Sequence, residues 1–414
     1  MPDHPEQTIN VDIAIIGGGI AGLWLLNRLV SAGYNAILFE QSALGSDQTV
    51  ASQGMIHGGI KYTLGGTLSG ASEAIADMPD HWRACLRGEG DVDLTGVGIL
   101  SDHFFMWSSN SAVSKMSTFF ASKATRGRVQ KVKPAQRPEI FQHSGFKGSL
   151  YKLVDMVLNV PEVVKKLADN HPNRIFKIDW SRAQWSNDNG VAAVVFERHG
   201  ECIRLNATQF ILSAGRGNEQ LLNALGAQAP KTQTRPLQQV MVKHHYPHRF
   251  FGHCLGAETT PRLTISSHPC EDGSQVWYLG GSLAEKGAHQ SPEDIIACAK
   301  QELGELLPWV DLSAAKWAAL PVDRAEPRQR NFARPDKAFA APIDSRSNVL
   351  AAWPTKLTLS PNLADEVIAL LQTRGVKPAH AEIPKIDFLS RPTLAPTPWQ
   401  TAFESSTEEV NHAS

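Results

Sequence analysis

The sequence predicts an α/β protein in which a Rossmann-like unit opens the chain and a second, α+β unit is built on a mainly antiparallel sheet. Three patterns carry that expectation. Residues 13–39 run strand, glycine cluster, helix, strand. Residues 191–196 and 201–205 read as two strands joined around His199-Gly200, a hairpin that suits a small antiparallel sheet beside the first one. Residues 235–246 and 275–280 read as strands of the second unit, with 292–307 an amphipathic helix lying on their sheet.

At 414 residues the chain can bury a large core, and its length allows two or three domains. A net charge of −1, from 40 basic and 41 acidic side chains, gives no footprint for nucleic acid or another polyanion, so any charge-driven recognition must be local. The cysteines, Cys85, Cys202, Cys254, Cys270 and Cys298, are odd in number and never form a C-x-x-C pair. That argues against a disulfide framework or a zinc ribbon and points to a reducing, cytoplasmic setting. The first residues lack a basic region ahead of an apolar segment, and the run 11–30 is interrupted by four glycines, Asn27 and Arg28. Neither a signal peptide nor a transmembrane segment is expected.

Ile13-Ala14-Ile15-Ile16 is short, continuous and rich in branched apolar residues, the pattern of a buried strand. Leu23, Leu26, Leu29 and Val30 recur at helical spacing, and Gly33 stands where that helix would end. Between them, Gly17, Gly19 and Gly22 form G-x-G-x-x-G in the strand-to-helix context the motif needs. Gly17 permits the tight turn, Gly19 lets the backbone approach a pyrophosphate, and Gly22 lets helix and strand pack closely, while the helix start offers N–H groups to the anion. Glu40 follows the second strand, 36–39, where a carboxylate can accept from both hydroxyls of an adenosine ribose. FAD and NAD share that half, so this unit alone does not choose between them. Residues 42–66 then set Gly54, Gly58, Gly59, Gly65 and Gly66 among small hydroxyl residues with a basic pair, His57 and Lys61. A nicotinamide dehydrogenase has no reason to place such a loop directly after its ribose acid.

On these residues the chain resembles the FAD-dependent oxidoreductases of the D-amino-acid oxidase superfamily, and ASQGMIHGGIKY, residues 51–62, resembles the flavin-contacting segment of glycerol-3-phosphate dehydrogenases. Residues 148–170 resemble that family's return to the FAD domain, 207–222 its strand, Ala-Gly turn and short helix, and 351–371 its last flavin segment, in which a Lys-Leu-Thr turn opens a helix. The resemblance implies FAD held noncovalently by Gly17, Gly19, Ile20, Ala21, Gly22, Glu40 and Gln41, by Ser52, Gln53, Gly54 and Ile56, by Ala214 and Gly215, and by Lys356, Leu357 and Thr358. The usual surroundings of a covalent histidyl flavin are not matched.

The same resemblance implies a discontinuous FAD-binding domain, residues 1–78, 149–226 and 336–378, with 79–148 and 227–335 forming a substrate domain; where the glycerol-3-phosphate group has a long helical C-terminal domain, this chain departs with a Pro-rich tail, 379–414, whose last dozen residues read as frayed. Two departures stand out. Trp353-Pro354-Thr355 precedes Lys356 where the glycerol-3-phosphate group has glycines, and Arg324 and Arg328 replace an arginine-proline pair in a different frame.

A flavin dehydrogenase needs an oriented C–H bond, a group to take the proton of the substrate hydroxyl or amine, and positive charge at the flavin's pyrimidine edge. His57, ahead of two glycines, is the candidate base, or else a histidine that only bonds backbone or anchors the flavin. Lys356 is the candidate cation, or else a surface lysine at a helix start. Arg324 is the candidate for a substrate anion, or else a partner of Asp323 or Glu326. His244, His245, His248 and His253 invite a metal reading, but neighbours on a strand point to opposite faces, and no metal is expected. Residues 104–107 read as a buried strand. The expected activity is FAD-dependent removal of a hydride from a carbon bearing a hydroxyl or amino group on a small, anionic metabolite, similar to glycerol 3-phosphate or a 2-hydroxy acid. The electron acceptor is left open. The alternatives are an amine or amino-acid oxidase of the same superfamily, or a flavin-binding protein acting in macromolecular assembly or modification.

Overall fold

The computed structural model describes residues 7–59, 75–108, 129–198, 201–256, 258, 260–333, 335, 337–345, 347–379 and 382–403. Lys61, the His199-Gly200 turn and the polar end after residue 403 lie outside them.

The chain opens with strand β1 (Gln7–Ile16), helix α1 (Ile20–Ser31) and strand β2 (Ala36–Glu40). β1 begins earlier than its apolar run because Ile9 and Val11 alternate inward with exposed Thr8 and Asn10. It pairs in parallel with β2 on one side and with Glu201–Leu212 on the other, in the register Ile13↔Ala36 and Ile13↔Gln209. Val349–Trp353 continues the parallel array beyond Glu201–Leu212. Val191–Arg198 and Ala183–Asp188 add the antiparallel extension. Helices cover one face: α1 packs against Val160–Asp169 and Ser360–Thr373 through Leu23, Leu26, Leu29, Val163, Leu167, Leu363 and Val367, all buried. Each of these leucines gains roughly 1.5–3 kcal/mol from burial, which fixes the helix start against the strand ends where a nucleotide would sit.

The second sheet has eight strands, in the order Lys316–Pro327, Thr232–His244, Gln275–Gly280, Leu263–Pro269, Gly252–Leu255, Phe104–Ser108, Ser149–Leu153, Val129–Lys131. All neighbours are antiparallel except Gly252–Leu255 with Phe104–Ser108. Helix Pro292–Leu306, capped by Ser291 Oγ on the Asp294 N–H, lays Ile295, Ala299 and Leu303 on one face against Val240, Val242 and Trp277.

One feature differs from the sequence reading, and the tail, left open there, is now placed. Ser149–Leu153, placed by resemblance in the nucleotide-binding part, pairs with Phe104–Ser108 in the second sheet, because Leu150 joins the Trp107 and Phe250 core while Leu153 joins Phe104 and Met106 on the opposite face. The Pro-rich tail is a strap as far as residue 403. Leu44 N–H donates to Thr393 O at 2.8 Å, Ala395 N–H to Leu44 O at 3.0 Å and Lys177 N–H to Ser390 O at 2.7 Å. Helix Pro398–Phe403 then buries Trp399 and Phe403 against Met241, Val276 and Tyr278 of the second sheet. Among the described residues no helix is long and apolar enough to cross a membrane.

Candidate active site

A cavity of about 940 Å³ opens where β1, β2, Glu201–Leu212 and Val349–Trp353 end, the crevice at the carboxyl ends of a parallel sheet where such folds take ligands. Ile16, Gly17, Gly19, Ile20 and Ala21 line it from the first turn, Glu40 and Gln41 from the end of β2, Ser52 from the following loop, and Ala214 and Gly215 from the turn after residue 212. Gly17 has φ +114°, and a Cβ there would lie 2.6 Å from Ala214 Cα; one on Gly22 would lie 1.9 Å from the Gly17 carbonyl oxygen. Both glycines are therefore dictated by close backbone approach. The first turn of α1 holds no acid, and Gly19 supplies no side-chain cap. Thr49 Oγ1 accepts from the Ile20 N–H at 3.1 Å. The positive end of the helix thus faces the cavity without a negative side chain in its first turn.

Glu40 is oriented by the backbone. Its Oε2 accepts from the Gly18 N–H at 2.6 Å and its Oε1 from the Ser42 N–H at 2.7 Å. A carboxylate has about four acceptor positions, so one remains on each oxygen for a ligand. At the far end, Ile178, Trp180, Trp185, Leu221 and Ala224 make an apolar wall, with Trp180 and Trp185 stacked at 5.6 Å. Ser52 Oγ and Gln239 Oε1, both on the lining, are buried without a hydrogen-bond partner among the described residues.

These features fit FAD. Gly17, Gly19 and the α1 start would hold the pyrophosphate, Glu40 the ribose, the two tryptophans the adenine, and Ser52, Lys356 and Leu357 the flavin end.

The remaining expected cofactor residues stand behind the lining. Gln53 Nε2 donates to Tyr278 O at 3.0 Å. Gly54, with φ +71°, leaves 2.4 Å between its missing Cβ and Leu158 O, and Ile56 is fully buried. Thr358 Oγ1 accepts from the His57 N–H at 3.1 Å and donates to Met55 O at 3.2 Å, joining the two flavin segments.

Lys356 lines the cavity, is only 9% exposed, and donates from Nζ to Pro335 O at 3.2 Å. The departure before it is accommodated in the backbone: Thr355 takes φ +60°, the left-handed region a glycine would enter freely, and its hydroxyl donates to Lys337 O at 3.0 Å. Such a strained threonine costs about 1–3 kcal/mol. Arg324 also lines the cavity, with Nε donating to Arg235 O at 3.2 Å and Nη1 3.5 Å from Glu285 Oε1. Glu326, expected as an alternative partner, is engaged by Arg235 through bonds of 2.7 Å to each oxygen. Arg328 is exposed, its guanidinium 5.0 Å from the centre of the Phe332 ring.

His57 lies behind the lining, 7% exposed, with Nδ1 3.2 Å from Oδ2 of the fully buried Asp155 and its ring 6.3 Å from that of His253. Neither Asp155 nor His253 was singled out from the sequence as a partner of His57. Asp155 had a signal, a single carboxylate between the apolar pairs Leu153-Val154 and Met156-Val157. Trp180 and Trp185 carried only their residue type.

Of the grouped histidines, His244, the last residue of Thr232–His244, is buried against Trp277 and pushed down to about 4 by burial, while His245 lies just past the strand, which ends two residues earlier than the sequence suggested, and is exposed. A different set draws its ligand-type atoms within 4.8 Å: His81, Cys85 and Asp91. It is a hydrogen-bonded ion-pair network. His81 Nε2 lies 2.8 Å from Asp91 Oδ1, Arg28 Nε lies 2.8 Å from Asp91 Oδ2, and the bond to Asp91 holds the His81 imidazolium up to about 10.

Comparison with known proteins agrees with this geometry. Residues 12–353 match the family model described as DAO, FAD dependent oxidoreductase. A probable FAD-dependent oxidoreductase of Pseudomonas aeruginosa is 46% identical over 402 residues, covering 96% of this chain and 99% of that protein. The crystal structure of an FAD dependent oxidoreductase from Pseudomonas aeruginosa aligns at 42% identity with a TM-score of 0.81, over 97% of this chain and 100% of that one. Glycine oxidase from Geobacillus kaustophilus (15% identity, TM-score 0.64) and FAD-bound L-alpha-glycerophosphate oxidase from Mycoplasma pneumoniae (15%, 0.61) share the fold, each over 88% of this chain and 95% of its own. The chain belongs to the DAO family of FAD-dependent oxidoreductases.

Proposed function

We propose that the protein removes a hydride from a carbon bearing a hydroxyl or amino group on a small, anionic metabolite. The observation that carries this reading is the meeting, in one cavity, of a dinucleotide cradle, the buried Lys356 and, from the second sheet, Arg324. FAD supplies the hydride acceptor when bound. Arg324 offers the substrate's carboxylate or phosphate a planar pair of donors, and the bond from its Nε to the Arg235 carbonyl holds it on the cavity wall. Lys356 places a fixed positive charge beside the flavin end, where low dielectric strengthens its field. His57, the base the sequence suggested, stands one layer behind the lining, and its proton transfer would need the substrate to reach past Ser52 and Leu357.

Gln239 Oε1, a buried acceptor on the cavity lining without a protein partner among the described residues, suits the N–H or O–H donor of an amino or hydroxy compound. Anaerobic mixing of the holoenzyme with a panel of amino acids, hydroxy acids and glycerol 3-phosphate tests the reading. Arg324→Ala should raise KM for the responding compound at least tenfold with FAD content unchanged. An unchanged KM would remove Arg324 from the site.

A further inference from the structure

We infer that Arg216 is a cofactor-binding residue: held at the mouth of the cavity between Asp47 and Asp323, its guanidinium takes the pyrophosphate of FAD. The inference needs only the cofactor and is independent of the substrate. Arg216 stands in the turn that follows residue 212, ahead of helix Gly217–Ala224, and lines the cavity together with Asp47 and Gln48. That turn is fastened to the glycine motif. Ser213 N–H donates to Ile16 O at 2.8 Å, Ser213 Oγ donates to Gly17 O at 3.3 Å, and Ala214 leaves no room for a Cβ on Gly17. Residues 46–49 close on the same place from the other side: Thr49 Oγ1 accepts from the Ile20 N–H, and Gln48 Nε2 would lie 3.3 Å from a Cβ on Gly215. Arg216 joins these two walls, with Nη2 3.3 Å from Asp47 Oδ2. Its Nη1 lies 3.9 Å from Oδ2 of Asp323, whose strand neighbours Val322 and Arg324 line the cavity from the second sheet.

The charges of the lining leave that role to Arg216. Among the described lining residues the acids are Glu40 and Asp47, and the bases are Arg216, Arg324 and Lys356. Lys356 is tied to Pro335 O at the end assigned to the flavin, and Arg324 to Arg235 O on the second sheet. Of the three, Arg216 is on the turn that touches Gly17. The start of α1 gives a pyrophosphate N–H donors and partial positive charge, but Asp47, two residues ahead of Thr49, would oppose a dianion at that helix start. A guanidinium between them removes the conflict. It carries five N–H donors, so a contact of Nη2 with Asp47 leaves others for phosphate oxygens. The ion pairs themselves contribute little to stability, because the side chains of Arg216, Asp47 and Asp323 are 60%, 58% and 48% exposed. Losing them leaves the fold standing, so a change in FAD affinity reads the contact with the ligand.

The test is titration of apoprotein with FAD, at low salt and at about 1 M salt, in wild type, Arg216→Ala, Arg216→Lys and Asp47→Asn. Pyrophosphate is the only charged part of oxidised FAD at neutral pH, so the salt-sensitive share of the affinity reports it. Arg216→Ala should raise the FAD dissociation constant about 10–100-fold at low salt, the loss of one charge-assisted pair. The gap should shrink at about 1 M salt, where charges are screened beyond about 3 Å. Arg216→Lys keeps the charge without the fork and should retain part of the affinity. Asp47→Asn removes the partner of Arg216 but not the cation, and should bind FAD at least as tightly as wild type. If Asp47→Asn weakens FAD as much as Arg216→Ala does, the ion pair is a clasp of the fold and the inference fails. An FAD dissociation constant within twofold of wild type in Arg216→Ala also overturns it, and a raised KM for a bleaching compound in that variant would then give the guanidinium to the substrate's anion. Should Arg216→Ala not fold, Arg216→Gln takes its place with the same expected outcomes.

Discussion

Replacing Glu40 with Gln is the most direct perturbation of the nucleotide cradle, because it preserves shape and removes charge. Glu40 accepts two backbone N–H groups, Gly18 on one oxygen and Ser42 on the other, at 2.6 and 2.7 Å. A glutamine has one carbonyl oxygen, so it can accept from one of them and must turn an NH2 group toward the other. The misplaced amide N–H loses a charge-assisted bond and stays buried, a penalty of about 1–3 kcal/mol. The ligand side loses an anionic acceptor for a ribose hydroxyl as well, so FAD affinity should fall about 10–100-fold. Titration of apoprotein with FAD, followed by quenching of flavin fluorescence, measures the change. An FAD dissociation constant within twofold of wild type would refute the assignment of Glu40 as the ribose ligand.

Three further outcomes follow from the same structure. Lys356→Met should leave FAD bound but slow flavin reduction by roughly 10–1000-fold, read in anaerobic single-turnover traces, since one fixed charge in a dry site contributes about 2–4 kcal/mol; an unaltered rate would show that helix N–H groups serve the flavin alone. Trp399→Ala should cost about 3 kcal/mol of stability by emptying the pocket over Tyr278, and it should raise the FAD release rate, because the strap that ends in Trp399 also pairs with Leu44, whose neighbour Gly45 donates to the Gly18 carbonyl at 2.9 Å; equal FAD release from both proteins would separate the strap from the site. His81 is held up at about 10 against an ordinary 6.5, chiefly by its bond to Asp91, so its contribution is fully present below pH 6.5 and lost as pH rises through about 10. His81→Gln should lower Tm at pH 6, where the half-exposed pair supplies about 1 kcal/mol after solvent screening, and match wild type near pH 10.5; a Tm difference independent of pH would contradict it.

The nucleotide half of the molecule was legible because its chemistry is local. Gly17, Gly22 and Glu40 lie within one strand-helix-strand unit, and each answers to a backbone approach or a strand end that a short window of sequence encodes. Of the second sheet, three strands were read from the sequence, 235–246, 275–280 and the buried 104–107; its other five strands were not. What was not legible depends on contacts between distant segments. The 98-residue separation of His57 and Asp155 hides their pairing from any periodicity. Ser149–Leu153 reads like a continuation of the first unit until its pairing with Phe104–Ser108 is known. The tail's role was left open by its composition; its course pairs with Lys177 and Leu44 and anchors Trp399 on the second sheet. Thr355 shows the converse limit: the sequence lacks the glycine of the resembled turn, yet the backbone adopts the glycine's conformation.

The central claim is that this cavity holds FAD and that Lys356 and Arg324 serve oxidation of a small anionic hydroxy or amino compound. Anaerobic titration of the purified, flavin-loaded protein with the substrate panel, following loss of flavin absorbance, tests it most directly. The expected result is a yellow protein that releases FAD on denaturation and is bleached by at least one anionic hydroxy or amino compound, with bleaching suppressed in Arg324→Ala. A flavin that dithionite reduces but no compound in the panel bleaches would contradict it.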